Sequence, residues 1–178
     1  EKTLENGHGI YTEWHENKRI KEEVNYQNHK KNGNFKTWHE NGNLAETGNF
    51  SENFMNGVWA NYFSQGKLYK QIEYANGEKN GTFIEYTYTG DTLVFGHYLK
   101  GKKQGFWLWN REKAIRDIEG IFENDEQHGF WTYFYSSGKK ESSGQFVRGK
   151  RDGKWLFWYP TDEQWKEGHY EGDQKHGL

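Results

Sequence analysis

Residues 81–104 read GTFIEYTYTGDTLVFGHYLKGKKQ, and the next stretch, residues 105–128, reads GFWLWNREKAIRDIEGIFENDEQH. Both open on glycine and carry an aromatic at the third and at the eighteenth place. The same beat runs through the chain: Gly9, Gly33, Gly57, Gly81, Gly105, Gly129, Gly153 and Gly177 stand 24 residues apart without insertion or deletion. A fixed period of this length means stacked copies of one supersecondary unit, because the elements of an ordinary globular domain differ in length and surroundings. It also turns the functional question from a catalytic pocket toward an extended surface.

With the leading glycine as position 1, position 3 is aromatic in all seven copies: Tyr11, Phe35, Trp59, Phe83, Trp107, Trp131 and Trp155. Position 6 is aromatic in all but repeat 5, which has Asn110, and position 18 runs Tyr26, Phe50, Tyr74, Tyr98, Phe122, Phe146, Tyr170. These three columns hold 20 of the 33 aromatics, so the rings belong to the repeat and not to chance. Positions 9 and 10 read Asn41-Gly42, Gln65-Gly66, Thr89-Gly90 and Ser137-Gly138, a hairpin signal between ring-rich runs. A second turn follows position 18, as in Asn76-Gly77-Glu78-Lys79. No ten-residue segment free of glycine keeps a helical period, with Arg111 to Ile118, where Ala114 replaces the hairpin glycine, as the one candidate exception.

The expected fold is all-β: an elongated single-layer antiparallel β-meander of seven 24-residue hairpin repeats, with about fourteen strands and a length of about 65 Å. Residues 1–8 would be the end of a preceding repeat or an N-terminal cap, 9–176 the seven repeats, and 177–178 the start of an eighth. A two-residue turn at positions 9 and 10 would set position 3 opposite 16 and position 1 opposite 18. Position 16 is glycine at Gly48, Gly96, Gly120, Gly144 and Gly168, so each position-3 ring would face a bare backbone, and the leading glycine would face the position-18 ring. A four-residue second turn would continue the pattern. Positions 3, 5, 7, 12, 16 and 18 would share one face and position 6 the other.

The run glycine, aromatic, aromatic, hairpin glycine, aromatic, second turn resembles MORN repeats, above all the variant form of bacterial YwqK-type antitoxins. Trp38-His39-Glu40-Asn41-Gly42-Asn43-Leu44 and Tyr74-Ala75-Asn76-Gly77 carry the resemblance best, and it extends from Gly9 to Gly177. It implies protein–protein or membrane-associated scaffolding, and the antitoxin label implies neutralising a partner toxin. Repeat 1 departs in lacking both turn glycines, and repeat 5 in lacking the hairpin glycine and the position-6 ring.

Composition narrows the chemistry. Net charge is −2, so no global pull toward nucleic acid arises, and cysteine is absent, which removes disulfides and thiolate chemistry. No apolar run reaches the length of a membrane-spanning helix, and we expect no signal peptide within these residues. The bacterial cell envelope, export and the cytoplasm all fit. A start at Glu1 and a stop one residue into a repeat lead us to expect a piece of a longer protein. His15 and His39 recur at one position in adjacent copies, but equivalent positions lie about 10 Å apart, too far to share a zinc. We therefore expect strand roles for them, turn roles for His8, His128 and His176, and neither metal nor cofactor. Carboxylates such as Glu13, Glu46 and Glu85 recur without converging, and no nucleophile elbow or phosphate loop appears, so no catalytic residue is assigned.

Specific recognition should lie where repeats differ. Positions 5 and 7 are mostly polar early (Glu13, Thr37, Asn61, Glu85) and become aromatic late: Trp109, Tyr133 and Phe157, then Tyr135 and Tyr159. With Trp107 these are the candidate partner-binding residues, the partner being another protein. Two readings stay open: an exposed binding patch, or rings replacing the aliphatic packing lost where position 12 changes from Ile20, Leu44 and Leu68 to Arg116, Lys140 and Gln164, with Lys140 over Tyr135. Phe54 and Met55 are a weaker apolar candidate. A basic edge at Lys100, Lys102, Lys103, Arg148, Lys150 and Arg151 offers the alternative function, a module for anionic lipid or glycan at a membrane surface.

Overall fold

The computed structural model describes residues 2–176; Glu1 and the expected start of an eighth repeat, Gly177 and Leu178, lie outside the described residues. Two compact units divide at the hairpin turn of repeat 4: Glu1–Gly90 and Asp91–Leu178. The first holds β1 (Lys2–Glu5), β2 (His8–Trp14), β3 (Ile20–Gln27), β4 (Lys30–Trp38), β5 (Leu44–Ser51), β6 (Phe54–Tyr62), β7 (Leu68–Ala75) and β8 (Glu78–Tyr86). Each pairs antiparallel with the next. The second holds β9 (Thr92–Leu99), β10 (Lys102–Lys103), β11 (Gly105–Asn110), β12 (Arg116–Glu123), β13 (Glu126–Phe134), β14 (Lys140–Val147), β15 (Lys150–Trp158), β16 (Gln164–Glu171) and β17 (Gln174–His176). There β9 pairs with both β10 and β11, and the meander then runs in chain order. The expected all-β meander of hairpin repeats is present in each unit. The helix candidate in repeat 5 shrinks to one 3₁₀ turn, Glu112–Ala114, after which β12 begins.

Both turns differ from expectation, and in opposite directions. In repeat 2 the His39 N–H donates to Asn43 O and the Gly42 N–H to His39 O, each at 2.8 Å, leaving a three-residue loop of Glu40, Asn41 and Gly42. Gly42 takes φ +92°, the left-handed residue that ends such a loop; Lys18, Ala114 and Asp162 take the same conformation without glycine. The extra loop residue moves Trp38 opposite Leu44, and a bulge at Ala45 then restores Thr37 opposite Glu46, Phe35 opposite Gly48 and Gly33 opposite Phe50. The outer pairing therefore matches the expected one because loop and bulge cancel. Position 12, expected opposite 7, lies opposite 6 and shares that side of the sheet. Lys140 accordingly sits 5.8 Å from the Trp158 ring, not over Tyr135.

The inter-repeat connection is the two-residue turn. Asn76 and Gly77 have φ +51° and +83°, and Arg148 and Gly149 +51° and +74°, two successive positive values that define the type I′ hairpin turn. The following strand consequently starts earlier than expected, so His8, His128 and His176 lie in β2, β13 and β17 instead of in turns.

The two glycine columns do different work. Between Thr47 opposite Ala60 and Asn49 opposite Asn56, the three residues Gly57, Val58 and Trp59 face the single Gly48. Gly57 has φ +73° at this bulge, and a Cβ on Gly57, Gly105 or Gly153 would meet nothing within 4 Å. The leading glycine does lie opposite the position-18 residue, as in Gly57 opposite Tyr74, but backbone conformation holds it there and, contrary to expectation, no position-18 ring is seated on it. Position 16 is the seat, and its occupant comes from the following repeat. A Cβ on Gly48, Gly96, Gly120 or Gly144 would overlap the indole of Trp59, Trp107, Trp131 or Trp155 respectively. Where position 16 carries a side chain, at Val24 and Ile72, the next repeat presents the smaller Phe35 and Phe83 opposite it. The indole N–H groups of Trp107, Trp131 and Trp155 then donate to His97, Ile121 and Gln145 carbonyls at 3.0–3.1 Å. These ring-on-backbone seats form the interior: Trp59, Trp107, Trp131 and Trp155 are all buried.

Candidate functional site

Alternation along a strand puts positions 3 and 5 on one face, two residues apart. In the second unit both are rings, so the position-5 ring of one repeat lies between the position-3 rings of that repeat and the next. Trp107, Trp109, Trp131, Tyr133, Trp155 and Phe157 follow one another with centroids 5.7, 6.2, 6.4, 6.3 and 6.4 Å apart and interplanar angles of 25–36°. Phe122 and Phe146 brace the ladder edge-on, at 5.1 Å from Trp131 and 5.2 Å from Trp155. Offset and edge-on pairs of this kind add about 0.5–1.5 kcal/mol each beyond burial. Among the described residues the first unit shows no such ladder, because its position-5 residues are polar. There Asn61 Nδ2 donates to Glu46 Oε1 at 2.9 Å, and Phe35 stacks directly toward Trp59 at 5.1 Å.

Two slots open between these rings, in the same repeat register. One is bounded by Trp109 and Tyr133 above Trp131 and Phe122, the other by Tyr133 and Phe157 above Trp155 and Phe146, with volumes of about 240 and 350 Å³. The bulge turns position 13 toward each slot, supplying Asp117 to the first and Glu141 to the second. The remaining walls set their character: Ile118 leaves the first mostly apolar with Gln127 as its polar member, whereas Ser142 and Arg151 make the second more polar. Arg151 is fixed by Asp173, Nε to Oδ1 at 3.1 Å, and lies 4.3 Å from the Tyr170 ring centre. The Arg151 backbone N–H, and after it the guanidinium, hold the Asp173 carboxyl below the usual carboxylate range. Burial pushes the Tyr133 phenol up, so it stays protonated at neutral pH; its oxygen accepts from Gln127 Nε2 at 3.3 Å and keeps its own proton to donate.

The candidate residues fall into distinct places. Trp107 is 1% exposed, locked on Gly96 under Lys103, and offers no surface to a partner. Trp109, Tyr133 and Phe157 are half-buried slot walls. Tyr135 is a strut, its hydroxyl donating to Trp158 O at 2.7 Å. His15 and His39 occupy the same place and donate from Nε2 to Trp38 O and Tyr62 O at 2.8 and 2.9 Å, each tying its hairpin to the next repeat. Tyr159, 49% exposed, lies 5.5 Å from Trp165, itself 46% exposed, with the Lys166 ammonium 4.0 Å from the Trp165 ring. Sequence reasoning missed Trp165, since only the bulge brings position 13 to the ring face. Phe54, 55% exposed, reaches back over Gly77 in the adjoining turn.

The basic edge divides. Lys100, Lys102, Arg148 and Lys150 are exposed at the turns, whereas Lys103 and Arg151 turn onto the ring face, Lys103 lying 4.8 Å from Phe122. The opposite face of the second unit exposes a second apolar cluster: Phe106 opposite Ile121, with Phe130 and Val147 on the following strands. Among the described residues no group of His, Asp and Glu is arranged to hold a metal, and no helix is long and apolar enough to cross a membrane.

Comparison with known families finds three consecutive matches to the MORN repeat variant, at residues 7–28, 31–52 and 55–76. No curated protein matches the chain. The matched segments are offset from the glycine beat and end at the inter-repeat turns seen in the fold. Repeats 1 to 3 are thus similar to the MORN repeat variant, a family of repeated interaction modules.

Proposed function

We propose that this chain is a non-enzymatic binding or scaffold module that engages another protein through the ring face of repeats 5 to 7. The observation that carries this reading is the pair of register-equivalent slots walled by Trp109, Tyr133 and Phe157. Rings already stacked on one another are rigid, so a partner loses little entropy in fixing them, and Trp and Tyr are the residues on which binding energy concentrates. An antitoxin role is the narrower form of the same reading and rests on the resemblance of the repeats.

The test uses the residues that this protein itself places at position 5 elsewhere. Trp109→Thr with Tyr133→Asn reproduces Thr37 and Asn61, so the hairpins keep a side chain native to the repeat. Affinity capture from source-cell lysate with quantitative mass spectrometry should show a protein that the unaltered chain retains and the double variant loses, at a temperature where circular dichroism shows both to be folded. Capture lost instead in Phe106→Ser with Phe130→Ser would move the site to the opposite face. Retention on anionic vesicles that Lys102→Gln with Lys150→Gln abolishes, with no protein lost in the ring variant, would replace this reading by the lipid one.

A further inference from the structure

The two slots repeat with the array, and their period selects what can fill them. Equivalent atoms lie two strand spacings apart, about 9.6 Å. Building on the ring-face reading above, we propose that the occupant is a proline-rich segment in polyproline II conformation, lying across the strands with every third residue seated in a slot. One turn of that helix is three residues and about 9.3 Å, so residues i and i+3 present the same face at the spacing of the slots.

Other backbones fit less well. In an extended strand three residues also span about 10 Å, but residues i and i+3 then point to opposite sides. Strand addition is closed as well, since β12, β13, β14 and β15 each pair on both sides. An α-helix returns to the same face at i+3 and i+4, about 4.5–6 Å along, and nears the slot spacing only at i+7, about 10.5 Å; its width of about 10–12 Å would span the rings instead of entering between them. Polyproline II needs no ladder partner, because its backbone has no internal hydrogen bonds and stays open to solvent or to side-chain donors. The Tyr133 hydroxyl is such a donor at the wall shared by both slots. Glu141, exposed beside the second slot and without an ion pair among the described residues, calls for a basic residue next to the second seat.

The test is fluorescence anisotropy of labelled decaproline titrated with the 178-residue chain. Saturable binding is expected, weakened about tenfold or more by Tyr133→Asn at a temperature where circular dichroism shows the variant to be folded. Unlabelled competitors separate the period: an alanine-based peptide with proline at every third residue should displace the probe far better than one with proline at every second. One arginine beside a seated proline should tighten binding, and Glu141→Gln should erase that gain. Absence of saturation at about 1 mM, equal competition by both spacings, or an unaffected Tyr133→Asn variant would each overturn the assignment. A helical peptide with leucine at every seventh residue that binds, and is lost in Tyr133→Asn, would overturn the polyproline assignment while leaving the ring face as the docking site. If no peptide binds and the ring variant captures the same proteins as the unaltered chain, both readings fall.

Discussion

The seat at position 16 makes a quantitative statement about a pair of residues in different repeats. Gly120 lies in extended backbone, so alanine there carries no conformational penalty, and by restricting the unfolded chain it would add about 0.4–1 kcal/mol. Its Cβ, however, would overlap the Trp131 indole, which is held edge-on by Phe122 at 5.1 Å and by the Trp131 Nε1 bond to Ile121 O at 3.0 Å. The ring cannot move without losing those contacts, so overpacking of about 1–3 kcal/mol should win. Gly120→Val lies at the upper end, about 3 kcal/mol. Trp131→Phe alone leaves a void and an unpaired carbonyl, costing about 1–3 kcal/mol. Combining Gly120→Val with Trp131→Phe rebuilds the Val24–Phe35 pair already present in the first unit. The double variant should therefore lose about 1–3 kcal/mol less than the sum of the singles. Chemical and thermal unfolding of the four proteins gives the cycle, with about 2–4 °C in Tm for each kcal/mol. Additivity to within about 0.5 kcal/mol would refute the seat.

Other expectations follow from neighbouring features. Gly153 has φ +72° and open space around its Cβ, so Gly153→Asn should cost less than Gly153→Val, by about 1 kcal/mol; equal melting of the two would show that space, not conformation, holds the column. His39→Leu removes the donor to Tyr62 O and should destabilise by about 1–2 kcal/mol, whereas His39→Tyr, the residue that repeat 6 uses for the same bond, should recover part of the loss. Asp173 has a lowered folded pKa, so its contribution to stability is present above the ordinary value of 3.8 and is lost as pH falls through the lowered one. Asp173→Asn keeps an acceptor for the Arg151 N–H, as Asn53 does for Lys31, and should flatten the acid limb of a stability–pH curve without opening the turn. An acid limb unchanged in that variant would assign it to other carboxylates.

Much of the fold was legible because the repeat itself states it: ring columns at positions 3 and 18 and glycine at 1 and 16 give strands, hairpins and outer register. The turn types were not legible. Asn41-Gly42 satisfies both a two-residue I′ turn and a three-residue loop ending in a left-handed glycine, and only the compensating bulge at Ala45 separates them. Because that bulge restores the pairing, the wrong turn produced the right partners for positions 3 and 1 and the wrong ones for 7 and 12. The origin of the ring on each glycine was in the sequence, unread: tryptophan follows Gly48, Gly96, Gly120 and Gly144 at the next position 3, and phenylalanine follows Val24 and Ile72. At the candidate site, composition pointed to Trp109, Tyr133 and Phe157 but could not tell a wall from a floor. Trp107 shares their chemistry and is buried, a difference set by the seat beneath it and not by the residue type.

That seat also settles where one module ends and the next begins. Cutting the chain at the leading glycine separates Gly120 from Trp131 and Gly144 from Trp155, leaving each excised piece with an empty notch at one end and an orphaned indole at the other. A cut through the hairpin loop, within Ser136–Gly138 for example, crosses no such pair. Duplication, shuffling or grafting of these modules is therefore constrained by a two-letter junction grammar: a piece ending in a bare notch accepts only a successor that leads with tryptophan, and a piece ending in a branched aliphatic accepts phenylalanine. Order along the array is written in those junctions, and a rearranged array that respects them should fold where one that keeps only the 24-residue beat should not.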